Sequence, residues 1–251
     1  MSGVDRGLET QAAAGASNGD GRRPTIAVLD YGIGNLRSAQ KALEKVGADA
    51  HLTDSPSVIE EADGVVLPGV GAFGACMSAL RAAGLDEQAE QAVAGGRPFL
   101  GICVGMQMLF EESEESPGVA GLGLLPGRVV WLPDTVKRPQ MQWNRLSCRS
   151  YPDDSMAGRM LRGLDGSWMY FVHSLAAEPS DLTAATVDYG GPVVAAVAAG
   201  NVFAAQFHPE KSAEPGLRLL ANFVELCRDQ EGSGSKINQV EDHATDLHPT
   251  S

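Results

Sequence analysis

Thr25-Ile-Ala-Val-Leu-Asp30 is a short apolar run that ends on an acid and a glycine-rich turn, and it fits a strand buried inside a parallel sheet. Outward from it, Leu36, Ala39, Leu43 and Val46 fall at helical spacing, with Gly47 as the C-cap. A second strand is expected over about 48–53 and a third over Gly64-Val-Val-Leu-Pro-Gly69, with a short polar helix between them. A helix over about 75–93 then leads to the strand Pro98-Phe-Leu-Gly-Ile-Cys103. Strands and helices alternating at this pace predict an α/β fold, a doubly wound, mostly parallel sheet flanked by helices. Beyond residue 115 the pattern shortens. Alternating runs at 128–132, 143–148, 169–172, 182–187, 193–198 and 202–207 predict antiparallel strands added to the sheet in the C-terminal half. Ser212 is placed to N-cap a last helix whose apolar face carries Leu217, Leu220, Val224 and Cys227.

The two ends have another character. Residues 1–23 are rich in Gly, Ala, Ser and Asp, lack the apolar stretch of a secretory signal, and read as a disordered tail. Residues 229–251 hold five acids and one lysine and read as a second, acidic tail, leaving one domain over 24–228. The chain of 251 residues is 43% hydrophobic and 20% charged, ordinary values for a globular protein. No apolar run reaches the ~18 residues that a membrane span needs. A net charge of −13 argues against general binding to nucleic acid or to an anionic membrane. A cytoplasmic location is expected by elimination. The four cysteines, at 76, 103, 148 and 227, have no metal-ligand spacing and are expected as free thiols.

One of them stands apart. Phe99-Leu-Gly-Ile-Cys103-Val-Gly-Met-Gln107 passes from strand to helix through Gly101-x-Cys103-x-Gly105, the cysteine form of a nucleophile elbow. Glycines two residues to either side are expected because a Cβ there would strike a neighbouring strand or helix. A thiol at a helix N-terminus has its pKa lowered. A buried structural cysteine beside a tight turn would read the same way, so a second constellation is needed. Gln206-Phe-His208-Pro-Glu210 supplies it, since His and Glu two apart in an extended segment point to one side. Glu210 can then set the tautomer and orientation of His208. Leu67-Pro-Gly-Val-Gly71-Ala-Phe-Gly74 adds backbone N–H groups free of side-chain obstruction, able to hold a tetrahedral oxyanion.

Together these residues resemble the class I, triad-type glutamine amidotransferases, whose fold is of flavodoxin-like type. GICVGMQ is similar to that family's nucleophile motif and FHPEKS to its His/Glu motif. Asp30-Tyr-Gly-Ile-Gly-Asn-Leu-Arg-Ser38, Pro68-Gly-Val-Gly-Ala-Phe-Gly74, Leu109-Phe-Glu-Glu-Ser-Glu-Glu115 and Tyr170-Phe-Val-His-Ser174 look like the branch whose glutaminase subunits serve histidine biosynthesis. The resemblance spans about residues 25 to 228. It implies that Cys103 is the nucleophile, His208 the proton shuttle and Glu210 its orienting partner. Gly69, Val70, Gly71 and the N–H of Val104 are implied as the oxyanion site, and Gln107, His173 and Ser174 as substrate contacts. No cofactor and no metal are implied. The resemblance further implies glutamine as the substrate and passage of the ammonia to a cyclase subunit with a (β/α)8 barrel in a heterodimer, at an interface including Asn35, Trp143, Tyr170 and Lys211.

One stretch departs from the branch, which usually reads PHMGWN where this chain has Pro139-Gln-Met-Gln-Trp-Asn144. Gln142 replaces a glycine, so any positive φ required there would be strained. Gln140 replaces an imidazole. Other readings are a glutaminase subunit of a different ammonia-channelling synthase, which DYGIGN and PGVGAFG argue against, or a silent binding module of the same fold. A cysteine peptidase finds no support.

Overall fold

A computed structural model describes residues 22–234, with side chains to 229. Most of both expected tails therefore lies outside the described residues. In chain order the strands are β1 (Thr25–Leu29), β2 (Asp49–Thr53), β3 (Gly64–Gly69), β4 (Phe99–Cys103), β5 (Glu112–Ser113), β6 (Arg128–Trp131) and β7 (Gln140–Arg145). They continue with β8 (Ser147–Cys148), β9 (Trp168–His173), β10 (Leu175–Ala177), β11 (Thr183–Asp188), β12 (Pro192–Ala199) and β13 (Val202–Ala205). The helices are α1 (Leu36–Lys45), α2 (Pro56–Glu61), α3 (Phe73–Ala82), α4 (Leu85–Ala94), α5 (Val104–Gln107), α6 (Met156–Leu161) and α7 (Ala213–Gly234).

The main sheet has the order β2-β1-β3-β4-β13-β12-β11-β8. Its first five strands are parallel and carry the order of a doubly wound, flavodoxin-like sheet. Their near-continuous apolar runs follow from burial on both faces: β3, β4 and β13 are buried along their whole length. One layer of helices groups α1 and α6 with α7, and another groups α2 and α3 with α4. Leu43 at the end of α1 is fully buried, and Gly47, at φ +100, ends that helix by donating to Glu44.

Several expectations are corrected. The helix predicted over 75–93 is two, because Gly84 takes φ +67 between α3 and α4 and turns the chain. The run at 202–207 is antiparallel on one side only: β13 inserts parallel beside β4 and pairs antiparallel with β12, from which β11 and β8 extend the sheet with each neighbouring pair antiparallel. β6 instead joins β5 and β10 in a three-stranded sheet, and β7 and β9 form an antiparallel ribbon of their own. Helix α7 does not stop at 228 but continues to Gly234, with Asp229 paired to Arg159 at 2.5 Å. At the other end, Arg22 pairs with Asp63 at 3.0 Å. Among the described residues no helix is long and apolar enough to cross a membrane.

Candidate active site

The carboxyl ends of β3, β4 and β13 lie side by side, with Gly69 opposite Cys103 and Ala205 opposite Ile102. In an open α/β sheet this edge is where ligands bind. Cys103 ends β4 at φ +55 and ψ −114, a conformation that costs a non-glycine residue roughly 1–3 kcal/mol and lifts its side chain above the sheet. The flanking glycines are needed for the expected reason. A Cβ on Gly105 would come 1.8 Å from the carbonyl oxygen of Leu67, and one on Gly101 would sit 3.1 Å from Ala204, Leu109 and Met106. The helix that follows, α5, is a single turn.

His208 follows β13 and is held by backbone on both sides. Its N–H donates to Tyr170 in β9, and its carbonyl accepts from the Ser212 hydroxyl at 2.6 Å. Ser212 Oγ also accepts from the Tyr170 N–H, so Ser212 precedes α7 as expected while its hydroxyl ties the His208 loop to β9. The segment after His208 is not extended: Pro209–Lys211 is one 3-10 turn. That turn still brings Glu210 Oε1 to 2.9 Å from His208 Nδ1. Burial alone would lower the pKa of His208. Hydrogen bonding to Cys103 and to Glu210, together with their charge, outweighs burial and pushes the imidazole up to about 9.

These groups open on a cleft of about 520 Å³. Val70, Gly71, Cys103, Val104, Gln107, His173, Ser174 and His208 all line it, and Asn35 and Lys211 stand at its wall as well. Gly69 lies behind the wall, in the ladder with Cys103, because its Cβ would meet the Gly105 nitrogen at 2.7 Å. Glu210 sits behind His208. Trp143 and Tyr170 lie outside the cleft on the β7–β9 ribbon, opposite each other in register, with their rings edge to face at 6.0 Å.

Two side chains that line the cleft are also held by hydrogen bonds within the protein. The amide nitrogen of Gln107 donates to the Leu175 carbonyl and to Gln206 Oε1, so its oxygen is the end left for a ligand. The His173 ring donates through Nδ1 to the Leu175 carbonyl at 2.8 Å. Burial, helped by the charge of His208, lowers its pKa to about 4 against that bond, so the ring is neutral and its Nε2 is an acceptor. Gln140 faces that nitrogen at 3.0 Å through Oε1, while its own amide nitrogen is buried without a partner. An acceptor needs a donor, so the amide orientation that fits the chemistry presents the Gln140 –NH2 to His173. Gln140 is thus a fully buried support for the cleft wall. Gln142 takes an ordinary strand conformation opposite Phe171, so no positive φ is required there.

Gln206 was not singled out from the sequence. Fully buried, it donates to the Cys103 sulfur at 3.8 Å and links the thiol to Gln107. Its position beside Cys103 depends on β13 being parallel to β4, which its alternation pattern does not reveal. Glu115 also reaches the cleft, its carboxylate accepting from the Phe73 N–H at 2.6 Å. Among the described residues no cluster of His, Cys, Asp and Glu is placed to hold a metal ion.

A thiol on an elbow, an imidazole backed by a carboxylate and a glycine-rich strap beside them define a class of thiol-dependent acyl-transfer sites on a flavodoxin-like sheet. The sequence model of the glutamine amidotransferase class-I family matches residues 27–227, and the chain belongs to that family. More particularly, it is 51% identical over 204 residues to imidazole glycerol phosphate synthase subunit HisH of Methanothermobacter thermautotrophicus, covering 81% of this chain and 99% of that one. The subunit of the same name from Synechococcus elongatus is 52% identical over 207 residues, covering 80% and 93%. A crystal structure of a glutamine amidotransferase superposes with a TM-score of 0.64 at 22% identity, covering 80% of this chain and 98% of that one. The structure of PurLQS from Thermotoga maritima gives 0.62 at 20%, covering 81% and 99%. These two likenesses concern the fold.

Proposed function

We propose that the chain is the glutaminase subunit of imidazole glycerol phosphate synthase, working in the cytoplasm as a heterodimer with a (β/α)8-barrel cyclase. The observation that carries the reading is the 2.9 Å His208–Glu210 contact beside the elbow thiol, at the wall of one cleft. Cys103, as thiolate beside the His208 imidazolium, attacks the carboxamide carbon of glutamine. The oxyanion that forms is held by the N–H groups of Val70 and Val104. His208 passes its proton to the departing nitrogen, and ammonia leaves. The imidazole, now neutral, takes a proton from water as that water attacks the γ-glutamyl thioester, and glutamate departs with the thiolate restored. Glu210 keeps the ring oriented throughout. Gln107 Oε1, His173 and Ser174 form the wall against which glutamine lies.

The ammonia then enters the cyclase, where a ribulosyl ribonucleotide intermediate becomes imidazole glycerol phosphate and aminoimidazole carboxamide ribonucleotide. Docking is supported by the outer face of the β7–β9 ribbon, which exposes Met141, Trp143 and Trp168 and carries Tyr170 between them. Asn35 and Lys211 lie next to it at the cleft. Glutamate release from glutamine, measured with the chain alone, with the cyclase, and with cyclase plus nucleotide, tests the reading. Release should be slow alone and rise at each addition; no release under any condition would refute it.

A further inference from the structure

Two buried side chains beneath the Pro68–Gly71 strap have no part in the mechanism above. Tyr31, just after β1, donates its hydroxyl to the Pro68 carbonyl at 2.6 Å. Cys76, in the first turn of α3 and fully buried, donates its thiol to the Val70 carbonyl at 3.3 Å. Those carbonyls belong to the Pro68–Gly69 and Val70–Gly71 peptides. Between them lies a single peptide, Gly69–Val70, and it is the one that carries the Val70 N–H.

We infer that Tyr31 and Cys76 are positioning residues that pin the two flanking peptides and thereby aim the Val70 N–H at the oxyanion. The inference rests on the glutaminase reading of the site, since the donor it concerns has a task only there.

The strap cannot hold its own orientation. Glycines stand on either side of Val70, and Gly71 lies at φ +95, so the intervening peptide rotates at little steric cost. Side chains at these positions would supply stiffness, but a Cβ on Gly69 would meet the Gly105 nitrogen at 2.7 Å and the Tyr31 hydroxyl at 3.0 Å. Stiffness has to come from outside the strap, and the two carbonyl contacts provide it from below. Both groups can donate only while protonated. Burial raises the Tyr31 hydroxyl far above its ordinary range, with Cys76 and Cys103 adding to the effect. Burial likewise raises the Cys76 thiol, although the neighbouring Tyr31 hydroxyl opposes this.

The test uses the chain in complex with its cyclase and compares wild type with Tyr31→Phe, Cys76→Ala, Cys76→Ser and the Tyr31→Phe/Cys76→Ala double variant. Two quantities are read: steady-state glutamate release, and the rate at which iodoacetamide alkylates Cys103, followed by peptide mass spectrometry. Alkylation needs the thiolate but passes through no oxyanion. Loss of an oxyanion donor costs ~10²–10³ in rate, and a misaimed one less, so the double variant should lose about tenfold in kcat. KM for glutamine and the alkylation rate should stay at wild-type values, and Cys76→Ser, which keeps a donor, should restore kcat relative to Cys76→Ala. Wild-type kcat in the double variant overturns the inference, as does alkylation slowing in step with kcat, which would mark a general packing defect. A wild-type complex that releases no glutamate would instead overturn the glutaminase reading and this inference with it.

Discussion

Nδ1 of His208 lies 2.9 Å from Oε1 of Glu210, and both side chains are almost wholly buried, at 2% and 3% exposure. A ring so placed is held in one orientation, with Nε2 left to face the thiol. Replacing Glu210 by Gln keeps the size but removes the charge and half of the acceptor capacity. Glutamine hydrolysis should fall by ~10²-fold or more in kcat, with KM little changed. Unaltered kcat would show that the carboxylate does not orient the ring.

The same contact makes stability depend on pH. The folded pKa of His208, about 9, lies above the ordinary 6.5, so its contribution is complete below about 6.5 and is lost as pH rises through about 9. His173 has the opposite sign. Its folded pKa of about 4 lies below 6.5, so its contribution is present above about 6.5 and is lost as pH falls toward about 4. Melting temperature should therefore decline on both sides of neutrality. His208→Gln should flatten the alkaline limb and His173→Gln the acid one. Variant curves parallel to wild type would contradict the assignment.

The elbow glycines should differ in tolerance. Gly105→Ala drives a Cβ to 1.8 Å from a backbone oxygen, which cannot swing away, and should cost about 3 kcal/mol or more. Gly101→Ala meets three neighbours at 3.1 Å and should cost about 1–2 kcal/mol. Urea unfolding of the two variants measures the difference, and equal losses would contradict the packing described for the elbow.

Gln140→Leu leaves the His173 Nε2 acceptor buried and unpaired. The loss should be about 1–3 kcal/mol by the same urea titration. Unchanged stability would mean that the amide does not serve the ring.

Much of this architecture is written in local pattern. The apolar runs ending at Leu29, Gly69 and Cys103 are strands because burial on both faces demands them, and Gly101, Cys103 and Gly105, read together with His208 and Glu210, announce the elbow. What stays hidden is which segments become neighbours. Alternation marks Val202–Ala205 as a strand but does not say that it runs parallel beside β4. Gln206 is therefore not recognisable as a partner of Cys103 from spacing. The ribbon of β7 and β9 has the same period as the strands that join the sheet, so its independence is equally silent. Gly84 lies inside an apolar helical pattern, and only its φ of +67 reveals the break. Tyr31 and Cys76 are 45 residues apart, and no periodicity relates them.

In the proposed function the Cys103 thiol serves only the release of ammonia, and the second reaction is performed elsewhere. The direct measurement is synthesis of imidazole glycerol phosphate by the complex carrying Cys103→Ala, assayed once with glutamine and once with an ammonium salt. No product is expected from glutamine, and a wild-type rate from ammonium. Glutamine-dependent synthesis that survives, or loss of both activities in a complex that still assembles, would contradict the proposed function.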